Sequence, residues 1–129
     1  MMTFLGACLI LLTIFVRPAD ADVAQPVLDL RTMRQTTLAE LMPELLKSRI
    51  ILVGEQHADV DHHRAQLRVI QALHAAGARV AVGLEMLRKN SQGALDRWVS
   101  GDIRPQEFET IFHDNWGYAW PAYQPIFEY

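Results

Sequence analysis

The sequence predicts an α/β fold, a parallel sheet with flanking helices around a βαβ core. Two runs carry that prediction, Arg49-Ile50-Ile51-Leu52-Val53-Gly54 and Ala78-Arg79-Val80-Ala81-Val82-Gly83-Leu84. Each is a continuous apolar stretch rich in β-branched residues, the pattern of a strand buried on both faces of a parallel sheet. The third observation is the helical spacing of apolar residues between them, which joins strand, helix and strand into one right-handed crossover unit.

The elements follow in order. Phe4 to Val16 is an unbroken apolar run, followed by Arg17, Pro18 and Ala19-Asp20-Ala21. A short apolar run with a small-x-small exit predicts a secretory signal peptide over residues 1–21, although Met1-Met2-Thr3 supplies no lysine or arginine. A short uncleaved anchor is the alternative. Leu5-Gly6-Ala7-Cys8 has the shape of a lipoprotein cleavage site, but it precedes most of the apolar run instead of following it. Cys8 is the single cysteine, so its removal with the leader leaves neither a disulfide nor a thiolate metal site.

Val27-Leu28-Asp29-Leu30 reads as an edge strand, and the polar stretch from Arg31 to Thr36 as a turn. Thr37 and Glu40 form a capping box that opens a helix over 37–48, with Leu38, Leu41, Met42, Leu45 and Leu46 at helical spacing. Pro43 is expected to kink this helix without ending it. After the first buried run, residues 60–76 form the crossover helix; Leu67, Ile70 and Leu73 make its core stripe and Gly77 its left-handed cap. Ser91 opens a helix through Ser100 that Gly101 ends, and Pro105 suits the first turn of another, to His113. The remainder is rich in aromatics: Trp116, Tyr118, Trp120, Tyr123, Phe127 and Tyr129.

Composition narrows the function. Half of the residues are hydrophobic and 21% are charged, and the formal charge is -3 without a lysine or arginine run. A nucleic-acid binder needs a basic face to displace counterions, so that class is excluded. No apolar run reaches the roughly 18 residues of a spanning helix, which excludes a polytopic membrane protein.

In open parallel sheets ligands bind beyond the carboxyl ends of the strands. Here those ends read Gly54-Glu55-Gln56-His57-Ala58-Asp59-Val60-Asp61-His62-His63 and Gly83-Leu84-Glu85-Met86. With the two strands as neighbours, Glu55 and His57 lie across from Glu85, and His62 or His63 looks into the same cleft. Adjacent histidines on a helix cannot both face inward, so one of the pair is solvated. Such a set suits a divalent metal held by Glu55, His57, His63 and Glu85, or a general acid and base in Glu55, His57 and Glu85. Asp59 and Asp61 read as helix-capping residues. The string His57-x-Asp59-x-Asp61-His62 also departs from the metallo-β-lactamase motif, because Asp59 stands where that motif has a histidine.

Taken together, VGEQHADVDHHRAQL at Val53 to Leu67, VGLEML at Val82 to Leu87 and WGYAWPAYQPIF at Trp116 to Phe127 resemble the ChaN-like haem-binding family of the Tiki superfamily. The resemblance covers nearly all of the chain after the leader. It implies that Glu55, His57 and Glu85 line the main cleft with His63 as their helix-borne partner, and it implies haem as a ligand. Trp116 could then pack on a porphyrin face, and Tyr118 or Tyr123 could supply a phenolate to ferric iron. The same aromatics also suit a hydrophobic wall. Members of the family resemble exported bacterial proteins or lipoproteins of iron-regulated haem uptake, and relatives in the superfamily include metal-dependent proteases and esterases.

Three expectations result. The first is an exported haem-binding protein of haem and iron uptake, periplasmic or membrane-associated. The second is a metal-dependent hydrolase using the Glu/His cleft. The third is the N-terminal part, residues 22–129, of a longer α/β domain, with no independent activity. With two parallel strands and unpaired outer edges, such a piece would be prone to associate with a second copy of itself.

Overall fold

The structure, a computed structural model, describes residues 26–129. The expected leader, over 1–21, lies outside the described residues.

The expected edge strand is present as β1, Pro26–Asp29, but the stretch read as a turn contributes a second strand, β2, Arg34–Thr37. The two pair antiparallel, with Val27 opposite Thr36 and Leu28 opposite Gln35. Asp29 makes this hairpin. One carboxylate oxygen accepts the Arg31 amide at 2.9 Å and the other accepts the Thr32 hydroxyl at 3.0 Å, which turns the chain back within four residues. Thr36 and Arg34 lack the apolar alternation that marks a strand, so only the turn chemistry of Asp29 announces it.

Helix α1 spans Leu38–Leu45, and its capping box is formed: the Thr37 hydroxyl accepts the Glu40 amide at 3.2 Å while the Glu40 carboxylate accepts the Thr37 amide at 3.0 Å. The helix passes through Pro43 and is shorter than the 37–48 pattern, with Leu46 as its cap. Helix α2, Val60–Ala75, forms where the crossover helix is expected; Asp59 caps it by accepting the Asp61 amide at 2.9 Å. It closes on Gly77 at φ +81°, with the Ala78 amide donating to Leu73 and the Gly77 amide to His74. After a 3-10 turn at Lys89–Ser91 come α3, Gln92–Val99, α4, Pro105–Asn115, and α5, Trp120–Phe127.

The parallel sheet is not formed. Among the described residues the one sheet is the antiparallel pair of β1 and β2. Residues 50–56 and 78–84 run without turn or bend, yet no backbone hydrogen bond joins the two runs. Strands pair only at about 4.8 Å, whereas a cavity of about 1000 Å³ is lined by both runs. The fold class is thus a mixture of helices with a small antiparallel hairpin.

The core lies in the C-terminal half. Phe108 and Phe112 of α4 and Tyr123 of α5 are fully buried, and Met86, Ile103, Trp120 and Phe127 complete the cluster. The rings meet mainly edge to face, as at Phe112 and Trp120, 5.0 Å and 60° apart, the arrangement that their quadrupoles favour. The Trp98 indole stacks on Phe108 at 4.5 Å and donates its N–H to the Phe127 carbonyl at 2.6 Å, which fastens α3 to α5. Half of the aromatic segment is therefore wall, and α5 presents that wall to α2.

Candidate functional site

The link between the first apolar run and α2 is short, and this sets the site. Residues 57–58 turn the chain, Asp59 starts the helix, and His62 and His63 fall in its first turn. His62 points outward, where its Nδ1 accepts the Gln56 amide at 2.8 Å. His63 points inward and is 2% exposed. The expectation that one histidine of the pair is solvated agrees with this geometry.

Glu55 is the centre of the arrangement, with a side chain only 8% exposed. Its Oε1 accepts from His57 Nδ1 at 2.8 Å and from the Tyr123 hydroxyl at 2.9 Å. Its Oε2 faces His63 Nδ1 at 3.0 Å and accepts from Gln66 Nε2 at 3.0 Å. The other nitrogen of His63, Nε2, faces the His57 carbonyl at 3.1 Å. Both nitrogens of His63 thus face oxygens of the link, which fixes the ring between Glu55 and the His57 carbonyl.

The carboxylate is held charged by these partners. Burial alone would raise the Glu55 pKa, but the hydrogen bonds from His57, Tyr123 and Gln66 and the charge of His63 outweigh it, and the net direction is down. Tyr123 shifts the other way. Burial raises it and the Trp116 indole opposes, while the Glu55 carboxylate adds to the rise, so the phenol is pushed up to about 12. Tyr123 therefore keeps its proton at neutral pH and donates a hydrogen bond to Glu55. Its hydroxyl is committed to that bond and to the His57 carbonyl at 3.2 Å.

His57 is the accessible member. Its ring lies 4.9 Å from that of Trp116, edge to face, and 4.8 Å from that of Tyr118, and its side chain is 37% exposed. With Nδ1 on Glu55, Nε2 is left without a hydrogen-bond partner among the described residues. Two further groups nearby are unmet there: the Tyr118 hydroxyl makes no hydrogen bond, and Trp116 Nε1 is buried without a partner. Trp116 and Tyr118 consequently join His57, while Tyr123 joins Glu55 behind it.

Glu85 is placed differently from the expectation. It lines the same cavity as Glu55 and His57, but it is exposed and makes no hydrogen bond to either. Among the described residues no group of three or more His, Cys, Asp or Glu is placed to hold a metal ion. The expected divalent-metal set of Glu55, His57, His63 and Glu85 is therefore not assembled: both Glu55 oxygens and both His63 nitrogens are used within the protein, and Glu85 stands apart. Gln66 is the member that residue types alone did not single out; its signal is its place one turn after His63 on the inward face of α2.

No curated protein and no solved structure matches the chain. A family model described as "Haem-binding uptake, Tiki superfamily, ChaN" matches residues 41–129, the stretch that holds Glu55, His57, His63, Trp116, Tyr118 and Tyr123. The chain belongs to that family.

Proposed function

We propose that the chain binds haem through His57 and serves haem uptake as an exported protein. The observation that carries this reading is the His57 imidazole, fixed at Nδ1 by the Glu55 carboxylate at 2.8 Å and unpartnered at Nε2. A carboxylate on one imidazole nitrogen fixes the tautomer, orients the ring and raises the basicity of the other nitrogen, as found behind metal-ligating histidines. A porphyrin supplies four equatorial nitrogens itself, so one protein ligand suffices where a bare divalent cation would need three or four. That difference favours haem for a site with a single free imidazole. Trp116 and Tyr118 offer aromatic surface beside it, and the Tyr118 hydroxyl, which makes no hydrogen bond among the described residues, suits an anionic or iron-bound acceptor.

Bound haem would supply the iron. The chain's residues supply the rest: His57 the ligand nitrogen, Glu55 its orientation, and His63, Gln66 and Tyr123 the fixed position of Glu55. Tyr118, 41% exposed, is the phenol placed to approach the same ligand. Export rests on the apolar run from Phe4 to Val16 and the Ala19-Asp20-Ala21 exit. Haemin titration of the chain should give a saturable shift of the Soret band at about micromolar concentration. No shift at tens of micromolar would reject the reading. Fractionation of expressing cells tests export, with the chain expected outside the cytoplasm.

A further inference from the structure

Three histidines stand at the link before α2, and their nitrogens are used differently. His62 Nδ1 accepts the Gln56 amide at 2.8 Å, and its Nε2 lies 3.7 Å from Asp59. His63 has Nδ1 on Glu55 and Nε2 on the His57 carbonyl. Of the three, only His57 joins a nitrogen held by a carboxylate, at 2.8 Å, to a second nitrogen left open for a ligand. That carboxylate is fixed from behind: His63 Nδ1 and Gln66 Nε2 take Glu55 Oε2, both at 3.0 Å, which leaves Oε1 to His57 and the Tyr123 hydroxyl.

A neutral carbonyl behind a ligating imidazole would orient the ring. An ionised carboxylate also strengthens the bond at Nδ1 and makes Nε2 a better electron donor. A better donor stabilises the more positive iron. Ferric haem carries one positive charge more than ferrous haem, and a negative charge whose side chain is 8% exposed acts on that difference with little screening. The rings of Trp116 and Tyr118, 4.9 and 4.8 Å from that of His57, keep water from part of the imidazole and support the same effect. We propose that Glu55, a positioning residue acting through His57, makes this site selective for ferric over ferrous haem. The proposal rests on the haem reading of His57 and goes beyond it, because ligation by an imidazole does not by itself fix the oxidation state. Tyr123 shares Oε1 with His57, so its hydroxyl moderates the effect.

The test titrates the full chain with haemin in air and, under nitrogen, with haem kept ferrous by dithionite. The ferric form should bind at least about tenfold more tightly. Binding and reduction close one thermodynamic cycle, so each tenfold of preference corresponds to a midpoint potential about 59 mV below that of unbound haem. Glu55→Gln keeps the shape without the charge; it should shrink the preference roughly tenfold and raise the potential of the loaded chain by about 59 mV. Tyr123→Phe removes the competing donor and should not raise it. Should Glu55→Gln fail to fold, the parent chain and Tyr123→Phe decide. Equal affinity for the two forms, tighter ferrous binding, an unchanged potential in folded Glu55→Gln, or a raised potential in Tyr123→Phe overturns the proposal while haem binding by His57 stands. Failure to bind haem in either state rejects the haem reading and this proposal with it.

Discussion

Tyr123 and Glu55 are 68 positions apart in sequence and meet at 2.9 Å, hydroxyl to carboxylate. The contact joins the aromatic core to the ligand-bearing link, because Tyr123 is fully buried in that core and Glu55 orients His57. A single hydroxyl therefore couples the stability of the C-terminal helices to the geometry of the site.

Tyr123→Phe keeps the ring and removes the bonds to Glu55 and the His57 carbonyl. A hydrogen bond to a charged group contributes about 1.5–3 kcal/mol. Urea unfolding of the variant should show a loss in that range. A loss below about 0.5 kcal/mol, the size of an ordinary surface change, would show that the hydroxyl carries no such role.

The same pair sets the response to pH. Tyr123 ionises near 12 in the folded chain against 10.0 for a free phenol, so its contribution is complete below about 10 and is lost as the pH rises toward 12. Glu55 runs oppositely. Its folded pKa lies below 4.5, so its contribution is present above that pH and is lost as the pH falls through the folded value. Absorbance titration of the phenols should lose its component near 12 in Tyr123→Phe, and Glu55→Gln should flatten the acid side of the stability profile.

Phe112 is fully buried and touches Trp120, Tyr123 and Phe127. Phe112→Ala should cost about 3–5 kcal/mol. Thermal unfolding followed by circular dichroism reads this directly. A change under about 1 kcal/mol would place the core elsewhere.

Glu85 offers the contrast. It is exposed and outside the hydrogen-bonded set, so Glu85→Gln should alter stability by less than about 0.5 kcal/mol and leave the haemin spectrum unchanged. A changed spectrum would return Glu85 to the ligand set.

Local chemistry was the legible part of this fold. The Thr37 and Glu40 box, the Asp59 cap and the glycine closures at Gly77 and Gly101 act through neighbours in sequence, and all four form as their residues predict. The parallel sheet failed because pairing depends on what lies between two runs, and β-branched content does not encode that distance. β2 escaped notice for a related reason: Arg34-Gln35-Thr36-Thr37 is polar, and its pairing follows from the Asp29 turn. At the site, the Glu55 and His57 spacing was legible, as was the inward turn of one of the adjacent histidines. The division of the aromatics into core and site was not, since residue types cannot show that Tyr123 faces Glu55 while Trp116 and Tyr118 face His57.

The most direct measurement is haemin titration of His57→Ala beside the parent chain, with circular dichroism confirming that both are folded. If the imidazole that Glu55 orients takes the iron, the variant should show a displaced Soret band and binding weakened by roughly tenfold to a hundredfold or more. An unaltered band and an unaltered affinity in a folded His57→Ala would contradict the assignment of His57 as the haem ligand.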